Sequence, residues 1–392
     1  MDEYVPKKTT NESIFSIDNL LSALGVSEAE YKSILDLEEK NRYTPLHLKK
    51  KNGDDRIVFD PHPLVRKFQR RIKNRLFNKV RYPTYLYGSI SDPEHPRDYI
   101  SCAQRHCKAK TILKIDITSF FDFIDYDLVY KIFKELFFYS DEVSEVLAGI
   151  CTREGVVPQG APTSSFIANL CFFDVEGQIV KGLERQKLSY TRLTDDITVS
   201  SVVQDKDLNK AKSIIVSMIE HAGFEVNEAK TSIESISTTA FKIHGLRVDK
   251  ETPQLPRDEI RGIRAAVNNL KIFSREPNAR TSFDYRKRYE SISGRVNKLA
   301  RTEHPRYKKH RQELKSILPL PSQKDIRRCL TMLATLIRDY DIYCGTPLYM
   351  KRYHRLRHRL ILLQRTYKHE AKKIWEKLKV LTPTKSKAEH EL

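Results

Sequence analysis

Three carboxylates are the side chains of this sequence best suited to chemistry. Asp116 closes the run Thr111-Ile112-Leu113-Lys114-Ile115-Asp116-Ile117, apolar and β-branched enough to read as a buried strand. Asp195 and Asp196 adjoin each other between Leu193 and the alternating Ile197 and Val199, at the tip of a hairpin expected over Tyr190–Ser201. An acid at the end of a buried strand is costly unless something cationic neutralises it. Carboxylate oxygens suit Mg²⁺. Two ions about 3.5–4 Å apart would clamp an attacking hydroxyl and a leaving phosphate oxygen. A neighbouring Lys or Arg would satisfy the same acids without any chemistry.

The elements that must hold these acids follow from pattern. Residues 13–35 suggest a helical lead-in capped by Ser13, and Leu46–Phe59 suggests two short strands about Asn52-Gly53. Helical spacing resumes over Leu64–Asn78, about Tyr126–Phe138, Ser164–Glu184 and Leu208–Gly223. Short strands are expected near Thr231–Ile236 and Phe241–Val248. Beyond Pro253-Gln254-Leu255-Pro256 the chain turns Arg/Lys-rich, with helices expected over about 257–273, 282–300, 323–340 and 348–378. These readings divide the chain into a lead-in (1–45), a β/α core (46–250), basic helices (251–380) and a disordered tail (381–392).

Composition narrows the partners. Among 392 residues, 70 Lys and Arg stand against 51 Asp and Glu, a net charge of +19 that favours a polyanion, most often nucleic acid. Apolar runs such as Leu360–Leu363 fall far short of the ~18 residues a bilayer span needs. The Met1-Asp2-Glu3-Tyr4 start carries acid where a secretory signal carries base, so a soluble, cytoplasmic chain without membrane partners is expected. The six cysteines form no C-x-x-C pair and read as reduced thiols, with no catalytic cysteine or structural metal among them.

The motifs also resemble a family. Lys114-Ile115-Asp116-Ile117-Thr118-Ser119-Phe120-Phe121 resembles the first catalytic motif of bacterial reverse transcriptases of the retron and group II intron type. Val157-Pro158-Gln159-Gly160-Ala161-Pro162-Thr163-Ser164-Ser165 resembles their template-and-nucleotide motif, and Tyr190–Thr198 their two-aspartate hairpin. Ala222–Thr231 is similar to their lysine-bearing helix-to-strand motif, and Ile243-His244-Gly245-Leu246 to the strand turn closing the palm. The five occur in order within Leu46–Val248, about half the chain.

The resemblance implies an α+β right-hand polymerase, with fingers and palm built on an antiparallel sheet with helices, followed by an α-helical thumb. It implies an RNA-directed DNA polymerase using two Mg²⁺ ions, with Mn²⁺ as a substitute. Asp116, Asp195 and Asp196 would hold the metal, with Ile117 also at the metal site. Lys230 would protonate the leaving pyrophosphate. Phe121 would exclude the ribose 2′-hydroxyl, one of the Phe120-Phe121 pair pointing each way in extended chain. Gln159 would meet the nucleotide, with Gly160 allowing close backbone approach. Arg56 would bind the triphosphate, with a companion from Lys49, Lys50 and Lys51, of which Lys50 is named here as nucleotide-binding.

Three departures stand out. Leu193 replaces the usual tyrosine, with Thr194 at the small position. Cys102-Ala103-Gln104-Arg105-His106 has Cys where retron enzymes carry Asn in Asn-Ala-x-x-His. Ile243-His244-Gly245 replaces Val-Thr-Gly. In the expected thumb, Arg261, Arg264 and Lys271, and likewise Arg352, Arg355 and Arg359, recur at helical spacing and would bind nucleic acid. Tyr340, Tyr343, Tyr349 and Tyr353 would supply core packing or stack on unpaired bases.

The partners implied are a noncoding RNA template, the RNA–DNA duplex, deoxynucleoside triphosphates and an effector protein, in antiviral defence. Template-independent or protein-primed DNA synthesis is a second enzymatic reading. An inactive RNA-binding scaffold is a third, and the intact Asp116, Asp195 and Asp196 argue against it.

Overall fold

The computed structural model describes residues 3–10, 12–49, 53, 55–92, 94–236 and 241–385. Lys50, Lys51 and Asn52 of the expected fingers turn, and residues 386–392 of the expected tail, lie outside the described residues. The chain divides into two compact units, one ending at Pro253 and the next beginning at Gln254.

In the first unit the lead-in forms two helices, α1 (Ile17–Leu24) and α2 (Glu28–Leu35). Ser16 rather than Ser13 caps α1, its hydroxyl accepting from the Asn19 N–H, and Gly25 at φ +59° ends it. Strands β1 (Tyr43–Lys49) and β2 (Asp55–Pro61) pair antiparallel, Tyr43 opposite Pro61 and Lys49 opposite Asp55. Helix α3 (Pro63–Arg75) starts with proline at its first position and buries Val65, Phe68 and Ile72 at helical spacing.

Then come β3 (Leu86–Tyr87), α4 (Tyr99–Gln104) and β4 (Thr111–Asp116). Helix α5 (Tyr126–Lys131) runs into a π-helical turn at Ile132–Leu136, and α6 (Asp141–Cys151) follows. The single helix expected over Ser164–Glu184 is instead α7 (Ser164–Leu170) and α8 (Glu176–Arg185). Strands β5 (Ser189–Leu193) and β6 (Asp196–Ser201) form the expected hairpin, α9 (Asn209–His221) stops just before Gly223 at φ +83°, and β7 (Ser232–Ser235) completes the sheet.

The sheet order is β3-β5-β6-β4-β7, antiparallel except for the short parallel edge pair β3 and β5. Strand alternation gives it two unlike faces. Leu113, Ile115, Ile197, Val199 and Tyr190 point into the main core, which also holds Phe133, Phe137, Phe166 and Phe172. Burial of each such side chain contributes about 1.5–3 kcal/mol. The other face carries Lys114 opposite Thr198 and Asp116 opposite Asp196, and Lys114 Nζ donates to Glu234 Oε1 at 2.8 Å.

The second unit is helical: α10 (Arg257–Phe273), α11 (Phe283–Arg301), α12 (Arg306–Ser316), α13 (Gln323–Tyr343), α14 (Pro347–Leu363) and α15 (Lys368–Lys379). The run expected over 348–378 is thus two helices, and α12 was not expected. It buries only His310 and Leu314, too few positions to show a periodic apolar face. Cys329, Leu333, Leu336, Leu356, Leu360 and Leu378 form the core of the last three helices. Leu381, at the start of the expected tail, is also buried there, and Tyr349 Oη donates to its carbonyl at 2.9 Å. Among the described residues, no helix is long and apolar enough to cross a membrane.

Candidate active site

The three acids converge. Cross-strand register sets Asp116 directly opposite Asp196, and the Ile117 N–H donates to the Asp195 carbonyl at 3.3 Å. Ile117 is buried and can offer a ligand only through its backbone carbonyl. The Asp116 carbonyl in turn accepts from the Asn227 N–H at 2.8 Å, tying the strand end to the segment that carries Lys230.

Crowding of like charge is written into the electrostatics. Partial burial, then the adjacent Asp195 and Asp116 carboxylates, push Asp196 up to about 6. Burial and the Asp116 charge also raise Asp195, against the pull of Lys230 and Arg56. The Lys230 ammonium donates to Asp116 Oδ2 at 2.9 Å, and this bond, together with all three acids, raises its own pKa.

The site also fits a divalent cation. It concentrates hard oxygen donors whose mutual repulsion a cation would relieve. Among the described residues, no three His, Cys, Asp or Glu side chains are already gathered round a common centre. An ion held by Asp116 would displace the Lys230 ammonium and draw the carboxylates together.

Fingers residues meet the loop before α7. Arg56 Nε donates to Gln159 Oε1 at 2.9 Å, and the Phe59 N–H donates to the Gln159 carbonyl at 2.7 Å. Gly160, at φ +110°, lies so close that a Cβ there would stand 3.0 Å from the Phe59 carbonyl oxygen. Glycine is required at this approach. Lys49 is paired with Asp55 at 2.8 Å.

Phe120 and Phe121 differ from expectation in their backbone. They sit on a 3₁₀ turn, Phe120–Phe123, entered through Ser119 at φ +44°, and not on extended chain. Phe120 is buried between Phe172 and Phe224, while Phe121 is only partly buried, 5.9 Å from the Phe120 ring. The divergence comes from the turn and not from strand alternation.

A supporting pair escaped sequence reasoning. Arg192, fully buried on the core face of β5, donates through Nε to Glu176 Oε1 at 2.6 Å and through Nη2 to Oε2 at 2.8 Å. Its Nη1 also donates to the carbonyl of Thr194, the residue preceding the acid pair, at 3.1 Å. Tyr190 Oη shares Glu176 Oε1 at 2.7 Å. An arginine inside an apolar strand was the available signal, but its partner lies across a loop. The break between α7 and α8 is what turns Glu176 inward.

In the helical unit, Arg261, Arg264 and Lys271 line one cavity of about 480 Å³ together with Lys309, His310 and Glu313. Arg355 and Arg359 line another, of about 620 Å³, beside Arg328 and the exposed Phe283. Arg352 does not join them: its Nη1 donates to Asp339 Oδ2 at 2.6 Å. Tyr349 is core, Tyr340 and Tyr353 pack against it, and Tyr343 is exposed.

A sheet that brings three carboxylates together at the ends of two adjoining interior strands, with a fingers hairpin whose Arg56 bonds the loop before α7, is the palm of a right-hand nucleic-acid polymerase. The reverse transcriptase (RNA-dependent DNA polymerase) family model matches residues 48–262. The chain is 40% identical over 374 residues to the retron Ec48 reverse transcriptase of Escherichia coli, covering 93% of this chain and 92% of that one. It is 31% identical over 381 residues to the retron Se72 reverse transcriptase of Salmonella heidelberg, covering 94% and 97%. The chain belongs to the retron-type bacterial reverse transcriptases and is an RNA-directed DNA polymerase.

Proposed function

We propose that this enzyme copies a cognate noncoding RNA into cDNA in the cytoplasm, as part of an antiphage defence system that includes an effector protein. Asp116, Asp195 and Asp196 would hold two Mg²⁺ ions, replaceable by Mn²⁺. The observation that carries the reading of the site is the placement of Asp116 opposite Asp196, with Asp195 tied to the next residue of the same strand. When bound, the ions supply charge neutralisation at the attacking and leaving oxygens.

The chain's own residues do the rest. The primer 3′-oxygen forms a bond to the α-phosphorus of the deoxynucleotide, the bond to pyrophosphate breaks, and the hydroxyl proton passes to solvent water. Lys230, whose ammonium bonds Asp116, would give a proton to the departing pyrophosphate. Arg56, whose Nε is occupied by Gln159, keeps its terminal nitrogens for triphosphate oxygens. Phe121 closes the sugar side against a 2′-hydroxyl. The cavity lined by Arg261, Arg264 and Lys271 receives backbone phosphates.

The protein purified with its RNA should extend a primed RNA template with deoxynucleotides and Mg²⁺. The double variant Asp195→Ala, Asp196→Ala should lose this while keeping its fold and its RNA. Equal polymerisation by the double variant would overturn the assignment of the site. Sequencing the RNA and DNA bound in cells tests the cognate template, and plaque counts with and without the gene test the defence role.

A further inference from the structure

Cys102 and His244, two of the positions at which this sequence departs from the retron pattern, touch each other. His244 is the first residue of a tight turn, at φ +47° and followed by Gly245 at +80°, between the paired segments Lys242–Ile243 and Leu246–Arg247. Positive φ at both residues suits a two-residue hairpin turn, and histidine tolerates it better than most side chains. The His244 side chain is only 10% exposed, and its Nε2 lies 3.3 Å from Cys102 Sγ. Its Nδ1 faces Asp196 Oδ2 at 3.7 Å, just outside hydrogen-bond range, and that carboxylate is half exposed.

Cys102 is itself fixed from behind. Its sulfur lies 3.3 Å from Thr191 Oγ1, which lies 2.7 Å from His106 Nε2, and His106 Nδ1 lies 2.7 Å from Ser200 Oγ. Burial pushes His244 down to about 4 and His106 to about 3, and it pushes the Cys102 thiol up to about 12. The file of side chains therefore stays uncharged, and each neutral ring has one N–H and one lone pair to place. A reactive or redox role for Cys102 is unsupported, because its thiol stays protonated and buried.

We propose that His244 is a positioning residue for Asp196: anchored at Nε2 by Cys102, its ring fixes the orientation in which the carboxylate accepts a divalent cation. The inference rests on the metal-site reading above. A residue of this kind acts on metal affinity more than on nucleotide binding, and loss of such a support typically costs about 10–100-fold.

The test uses the full chain purified with its RNA and measures Mn²⁺ binding by electron paramagnetic resonance beside the Mg²⁺ dependence of primer extension. His244→Ala should weaken Mn²⁺ binding and raise the Mg²⁺ half-saturation by roughly tenfold or more, with the nucleotide KM within about twofold of the parent. His244→Asn, whose amide N–H can stand where Nδ1 stood, should recover most of the loss. Cys102→Ala should shift Mn²⁺ binding in the same direction by less. Parental Mn²⁺ affinity in a folded His244→Ala overturns the proposal. If that variant does not fold, parental affinity in Cys102→Ala overturns it, and weakened affinity supports it. A parent that binds Mn²⁺ no better than the Asp195→Ala, Asp196→Ala variant overturns the metal-site reading, and this inference with it.

Discussion

Arg192 and Glu176 meet as a buried bidentate ion pair, and the same guanidinium holds the Thr194 carbonyl one residue before Asp195 and Asp196. The pair joins α8 to the tip of the β5–β6 hairpin from the dry side of the sheet. Removing one partner leaves an uncompensated buried charge, which typically costs about 3–5 kcal/mol. Glu176→Ala should therefore lower the unfolding free energy by about 3–5 kcal/mol, and polymerisation should fall with it. An unfolding free energy within about 1 kcal/mol of the parent would mean the pair is not what fixes the hairpin.

The raised pKa of Asp196 sets a pH dependence. With its folded value near 6 and an unfolded value near the ordinary carboxylate range of about 4, the folded chain binds more protons between those limits. Stability attributable to this group therefore falls as pH rises through the window. In chelator, Asp196→Asn should melt higher than the parent at pH 8 and equal to it at pH 4. Because the side chain is half exposed, the advantage is put at about 1 kcal/mol. Saturating Mg²⁺ should erase it. An equal advantage at both pH values would count against carboxylate repulsion as the cause.

Gly160→Ala tests the contact between fingers and loop. A side chain at φ +110°, 3.0 Å from the Phe59 carbonyl, forces the hairpin away at a cost of about 1–3 kcal/mol. The expected kinetic signature is a several-fold higher nucleotide KM, since Arg56 rides on the same contact through Gln159. An unchanged KM would separate the hairpin from nucleotide binding.

Phe121→Ala tests the sugar side. If Phe121 faces the sugar as proposed, trimming its partly buried ring should raise ribonucleotide use relative to deoxynucleotide by roughly tenfold or more. Competition assays with both nucleotides read this directly, and unaltered discrimination would remove Phe121 from that role.

Salt titration distinguishes free from committed cations in the helical unit. Arg264→Ala should reduce the slope of log affinity for RNA against log salt by about one. Arg352→Ala should leave the slope nearly intact, because its guanidinium is already held by Asp339.

Much of the site could be read from the chain because its parts obey local rules. The β-branched run ending in Asp116 had to be a strand, and the acid pair had to fall on a hairpin, since both signals have short periods. What could not be read depends on partners far apart in sequence. Arg192 announces an anomaly but not Glu176, and nothing local links Cys102 to His244. The premise used for Phe120 and Phe121 failed because the strand stops at Asp116 and Ser119, with a left-handed backbone, leads into a 3₁₀ turn. Helix α12 was invisible because a mostly solvated helix has little hydrophobic pattern to show.

The unlike faces of the sheet make length, rather than composition, the sensitive property of strand β4. Deleting any one residue between Thr111 and Asp116 would shift the register by one and turn the Asp116 carboxylate into the phenylalanine layer, while bringing an isoleucine to the face that carries the acids. A one-codon deletion there should be more damaging than any conservative replacement at the same positions.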